Sequence, residues 1–183
     1  MATWNHIATN EVGSGGSATI QFTSISQSYD HLCMRWLAKS ESSGYYDYME
    51  VQFNSDTAAN YYYWRNYAIG GSSGTSGGIA GSQNQLKDFL PISKTTSSAD
   101  GWSGGELWIP NYSGTTANTS CVGFGASSTW ATGSSQMLTA LGGGYWTGST
   151  DGVDDILLRT DSGSDFTEHT RVTLYGVNGD PTT

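Results

Sequence analysis

Charge is what this sequence has least of. Asp, Glu, Lys and Arg make up 13% of its 183 residues, and only seven residues are Lys or Arg. That is about half the charged share of an ordinary soluble domain. Seven scattered cations cannot form a cluster that neutralises several phosphates, the main source of nucleic-acid affinity, so nucleic acid is disfavoured as a partner. An anionic membrane surface is disfavoured for the same reason. No apolar run approaches the ~18 residues of a spanning helix. The opening "MATWNHIATNEV" has no basic stretch followed by an apolar one, so no conventional export signal is expected, and the protein folds where it is made. Proline is confined to Pro91, Pro110 and Pro181, and cysteine to Cys33 and Cys121. Each cysteine falls inside an expected strand and reads as a small buried hydrophobe; a disulfide between them is left open.

What the chain has instead is glycine, serine, threonine and an aromatic share of 13%. Disordered chains are charged and poor in aromatics, so this composition points to a folded protein. The length suits one unit, residues 1–183, with enough buried surface for a core. The formal net charge of −9 is spread along the chain and serves solubility rather than forming an interaction tail.

Apolar residues recur at period two from end to end and hardly anywhere at helical spacing, which predicts an all-β protein. "HLCMRWLAK" sets Leu32, Met34, Trp36 and Ala38 against Cys33, Arg35, Leu37 and Lys39. "YYDYMEVQFN" turns Met49, Val51 and Phe53 inward and Tyr48, Glu50 and Gln52 outward, and is expected to form a hairpin with "NYYYWRNYAI". The closing "RVTLYGV" sets Val172, Leu174 and Gly176 against Thr173, Tyr175 and Val177. Nine or ten such strands, separated by Gly/Ser/Thr-rich turns, fit an antiparallel β-sandwich with jelly-roll-like connections. The stretch "GGSSGTSGGIAGSQNQ", at about residues 70–85, reads as a long surface loop in preference to a linker, because the strands before it are too few to close a core. No repeat of fixed period is present, which removes solenoids and propellers.

Chemistry is sparse. "GGSSG" spells a nucleophile-elbow pattern around Ser72, but more glycine and serine follow it where the elbow needs a helix, so chance accounts for the match. His6, His31 and His169 stand on separate segments without a ligand partner at short spacing, and Asp161, Asp165 and Glu168 lack the regular spacing of a calcium loop. Asp154 and Asp155 are adjacent at a strand start, so their carboxylates diverge and cannot act on one bond. No catalytic constellation, metal site or cofactor site is expected, and the chain does not read as an enzyme. The remaining signal is aromatic: Trp4, Trp36, Trp64, Trp102, Trp108, Trp130 and Trp146, with eleven tyrosines. Trp36 and Trp108 lie on strands and are expected inside. Tyr112, Trp130 and Trp146 border turns and are the candidates for surface contact or glycan stacking.

Four segments carry a resemblance: "TIQFTSISQSYDHLCMRWLAKS", "YDYMEVQFNSDTAANYYYWRNYAIGGSSG", "GELWIPNYSGTTANTSCVGFGASST" and "VDDILLRTDSGSDFTEHTRVTLYGV". From about Ala18 to Val177 the chain resembles a family of small virion proteins of tailed phages of aquatic bacteria, cyanophages included. The "IPNY" with its polar tail, the "QFNSD" strand end and the closing "LYG" are the most specific elements. "NYAIGG" departs from the pattern, since relatives tend to carry a charge in that glycine turn. The resemblance implies a capsid decoration (cement) protein on the outer surface of the virion, commonly trimeric, with the major capsid protein and copies of itself as partners. Similar sandwiches form the receptor-binding heads of tail fibres and tailspikes, which implies host cell-surface glycan as the alternative partner. Strand-like sequence begins almost at Met1 and leaves no room for a shaft, an expectation that favours decoration. Pro110 cannot donate to a ladder and is expected at a strand end, with an uncharged loop behind it that hydrogen-bonds without repelling neighbouring copies.

Overall fold

The structure is a computed structural model that describes residues 3–70, 72–76, 83–95, 101–131 and 134–179. The described residues form twelve strands and no helix: β1 (Thr3–Glu11), β2 (Ile20–Phe22), β3 (His31–Ser40), β4 (Tyr46–Phe53), β5 (Tyr61–Ile69), β6 (Ser72–Ser76), β7 (Pro91–Lys94), β8 (Ser103–Pro110), β9 (Thr119–Ala131), β10 (Ser134–Trp146), β11 (Ile156–Thr160) and β12 (Arg171–Asn178). The all-β reading of the period-two pattern holds, with twelve strands where nine or ten were expected. Among the added strands is β6, inside the stretch read as a loop. It pairs with β5 from Arg65↔Ser76 to Ile69↔Ser72. Residues 71 and 77–82 of that stretch lie outside the described residues.

Hydrogen bonding divides the strands into two groups. A large group runs β1-β12-β3-β8-β9-β10-β5-β6, antiparallel throughout; a small one runs β2-β11-β4-β7. They join where the end of β3 pairs in parallel with β7, at Lys39↔Ser93 and Ser40↔Lys94. The hairpin expected between β4 and β5 does not form. β4 pairs with β11 and β7, while β5 pairs with β10 and β6, so the turn after Phe53 carries the chain from one group to the other. The two strands meet instead through the Tyr61 hydroxyl, which donates to the Phe53 carbonyl at 3.2 Å and accepts from the Phe53 amide at 3.0 Å.

One core cluster draws on both groups. Leu32, Met34, Trp36 and Ala38 face it from β3, Leu107 and Ile109 from β8, Val172 and Leu174 from β12, and Met49, Val51 and Phe53 from β4, all buried. Glycines on the inner side of β9 and β10 let the segment before β7 pack directly onto the sheet. A Cβ on Gly142 would stand 2.5 Å from that of Phe89, and one on Gly123 would stand 2.7 Å from Leu90 Cδ2. The other side of β4 was expected to be wet, yet Tyr48, Glu50 and Gln52 are buried too. The residues before β7 and a side chain of β5 cover it: Gln85 donates to Glu50 at 2.6 Å, Gln52 donates to the Asn84 carbonyl at 2.9 Å, and the Arg65 guanidinium of β5 lies 4.7 Å from the Tyr48 ring.

Candidate functional site: the outer face of the large sheet

Two of the three turn-flanking aromatics singled out from the sequence, Tyr112 and Trp146, do not lie at the surface. Tyr112 is fully buried; its hydroxyl donates to the Ser26 carbonyl and its own carbonyl accepts the Val153 amide at 2.8 Å. Asn111, with φ of 50°, bends the chain just after Pro110 and turns that ring inward. Trp146 is buried as well, against Phe53 and Tyr61, with its indole N–H donating to Asp56 Oδ2 at 2.7 Å. It is the last residue of β10 but sits on the core side of that strand, and position in a strand's alternation outweighs nearness to a turn. Trp130 pairs through its backbone with Ser135, and its side chain lies outside the described residues.

The large exposed side chains gather on the outer face of the large sheet. Pairing in register defines its rows. One row reads Thr173, Arg35, Glu106, Phe124, Leu141, Asn66; the next reads Tyr175, Cys33, Trp108, Val122, Gly143, Trp64. Phe124, Leu141, Val122 and Trp64 are 44–49% exposed, although they occupy the middle of a sheet. Beside them Tyr62 and Tyr145 stand ring to ring, 4.7 Å between centroids and 6° from parallel. Trp4 packs edge-on against Trp108 at 5.2 Å and Tyr175 at 5.7 Å.

Small residues open troughs between these projections. One of about 540 Å³ lies among Phe124, Leu141, Gly104, Ala126 and Thr139. Another, of about 300 Å³, has Gly143 and Ser120 as its floor, with Tyr62, Trp64 and Tyr145 as walls. Their lining is almost wholly apolar, and few polar groups converge on them, so the face suits contact with other apolar surface better than recognition of a small polar ligand.

The electrostatics of the face are unusual for so acidic a chain. Its charges come as neighbours of opposite sign: Arg35 with Glu106 at 2.6 Å, the latter also accepting from the Trp108 indole at 3.2 Å, and Arg171 with Glu11 at 2.6 Å. The bond from Arg171 holds the Glu11 carboxyl below the usual range. Every other described Asp or Glu lies in a loop or on β4.

Cys33 also belongs to this face, in register between Trp108 and Tyr175, and it is buried. Burial pushes its thiol up to about 12, with Glu106 adding to the rise. Cys121 sits on the core side of β9, also raised to about 12 by burial. The two cysteines are free and on opposite faces of one sheet, which closes the disulfide that the sequence left open.

The remaining sequence candidates are scattered. His31 Nδ1 accepts the Asn111 amide at 3.1 Å, His6 bonds Thr9 at 2.9 Å, and His169 lies 3.8 Å from Glu11. Ser72 opens β6. Among the described residues no three His, Cys, Asp or Glu side chains gather as a metal site would need.

No family model matches the chain, and no curated protein does. Among solved structures the chain aligns over 99% of its length with 42% of a chain in the structure of infectious bursal disease virus Gt strain, at 12% identity and a TM-score of 0.15. It aligns over 99% of its length with 78% of a non-toxic crystal protein from Bacillus thuringiensis, at 9% identity and a TM-score of 0.15. Likeness this low carries no argument about fold or function. The class of protein the structure itself defines is an all-β protein with a broad apolar outer sheet face.

Proposed function

We propose that this chain is a virion structural protein, a trimeric decoration protein on the outer capsid surface that bridges and stabilises major capsid subunits, built as a β-sandwich with jelly-roll-like connections. The observation that carries the reading is the outer sheet face: wide, apolar and paired in its charges. Contiguous exposed apolar patches mark interaction surfaces, those for other proteins among them. The core cluster drawn from both strand groups, and the resemblance to small phage virion proteins, support the same reading.

Pro110 fits it as well. It ends β8 opposite His31, two residues beyond the last β8–β9 pair at Trp108↔Val122. A residue without an N–H donor therefore stands where the ladder to β9 has already stopped. The uncharged stretch from Asn111 to Asn118 behind it places no like charges between closely spaced copies.

The alternative is the glycan-recognising head of a tail fibre or tailspike. One feature favours it: Trp64 and the Tyr62–Tyr145 pair line an open trough and offer rings on which sugars can stack. Immunogold labelling of intact virions separates the two. Gold over the head supports decoration, gold confined to the tail tip supports the receptor-binding head, and particles without gold overturn both.

A further inference from the structure

We infer that the outer face of the large sheet is where copies of this chain meet one another. The inference deepens the proposed trimer by assigning its contact surface, but it does not depend on where on a particle the trimer sits.

Charge decides between a second copy and a different partner. A protein that recognises an acidic chain can use basic groups of its own and gains specificity from them. A second copy cannot, because it carries the same net charge of −9. Copies therefore approach without repulsion only where charge is missing or already paired internally. Among the described residues that condition is met on the outer face, whose carboxylates, Glu106 and Glu11, each hold an arginine at 2.6 Å. The other described acids lie in the loops and on β4, where the pairs of Asp88 with Arg65 at 3.7 Å and of Asp161 with Lys87 at 3.6 Å are looser than the two on the face.

Shape agrees. The face carries both halves of a contact: projecting Trp64, Val122, Phe124 and Leu141, and troughs floored by Gly143 and Gly104. A surface offering knobs and holes together is what symmetric self-association uses, whether two faces lie together or three turn toward a common axis. The extent is adequate too. Six strands from β12 to β5 span about 24 Å and four rows of side chains about 20 Å, a flat projection of roughly 500 Å² that protruding rings enlarge toward the ~800 Å² each partner gives to a standard interface.

Sedimentation equilibrium of the full chain at micromolar concentration tests this, with circular dichroism on every variant. The wild type is expected at three times its 19.5 kDa mass, and in half-molar salt as well, since the contact does not rest on exposed ion pairs. Leu141→Asp and Val122→Asp should sediment at 19.5 kDa with an unchanged spectrum, because both side chains are already about half exposed in the single chain. Tyr45→Asp, an equally exposed aromatic in the loop between β3 and β4, should leave the oligomer intact. A monomeric wild type overturns the inference, including one that gains mass only with capsid subunits or glycan. So does an oligomer that survives both face substitutions or dissolves in salt. A folded oligomer that fails to label virions leaves this inference standing and removes the particle role, so the two fail separately.

Discussion

The indole N–H of Trp146 donates to Asp56 Oδ2 at 2.7 Å and thereby ties the end of β10 to the turn between β4 and β5. The same carboxylate takes Asn60 Nδ2 at 2.9 Å and the Ala58 amide at 2.8 Å. Burial alone would raise the Asp56 pKa, but these three donors outweigh it, and the net shift is downward. A group depressed in the folded state contributes stability above its unfolded pKa and loses it as pH falls through the folded value. Asp56→Ala leaves the buried indole N–H without a partner and should cost about 1–3 kcal/mol. Thermal melts at pH 7 check this. The loss should shrink as pH falls and the wild-type carboxyl itself takes up a proton, and a loss that stays constant into the acid range would refute the assignment.

Glu50 predicts the opposite pH dependence. It is buried on β4, and burial lifts its carboxyl to about 7, with the hydrogen bond its protonated form donates to Asp161 adding to the rise. The folded state therefore holds the proton more tightly than the unfolded chain, and wild-type stability should decline as pH climbs from about 4.5 to above 7. Glu50→Gln keeps a partner for Gln85 and removes the titration. Its melting temperature should exceed that of the wild type at pH 8 and match it near pH 4; a variant that melts lower at pH 8 would show the carboxylate to be stabilising.

Gly142 predicts a packing defect. Its inner side faces Phe89, whose Cβ lies 2.5 Å from where a side chain would begin, and the Trp64 carbonyl is closer still at 2.3 Å. Gly142→Val should displace the segment before β7 and destabilise by the ~1–3 kcal/mol typical of overpacking, or prevent folding. Gly163→Asn is the contrasting case. That glycine has φ of 72° with open space around it, and asparagine tolerates such a backbone, so its unfolding midpoint in urea should stay close to that of the wild type.

The cysteines predict chemical silence. Cys33 and Cys121 are both buried and raised to about 12, so iodoacetamide at pH 8 should label neither in the native protein and both after unfolding. Mild oxidation should leave the mass and the non-reducing gel mobility of the chain unchanged. A product two mass units lighter would mean that the two thiols can meet.

Several parts of this structure were legible in the residues. Leu32, Met34, Trp36 and Ala38 share the buried side of β3 as their alternation said, and Val172 and Leu174 do the same on β12. The site was not. Val122 and Phe124 alternate with Gly123 and Gly125, and Leu141 is followed by three glycines. Large residues on one side and glycine on the other suggest that the large ones face the core, and here the reverse holds. The usable signal was the run of glycines itself, which marks a side of the sheet where another segment approaches closely. Tyr112 and Trp146 failed as surface candidates because a turn fixes chain direction, while burial follows from what packs over the turn.

By itself the sequence determined that the chain is β throughout, and which side chains share a face within each strand, because alternation at period two is a local property of the extended backbone. Only the tertiary structure decided which face of each strand points inward. That choice depends on the segment that lies across it: Leu86, Phe89 and Leu90 fill the glycine side of β9 and β10, so Val122, Phe124 and Leu141 are left to the solvent side, beside the aromatic rows from Trp4 to Trp64. Contacts between residues so far apart in the chain are set by packing of the whole core, which no local pattern encodes.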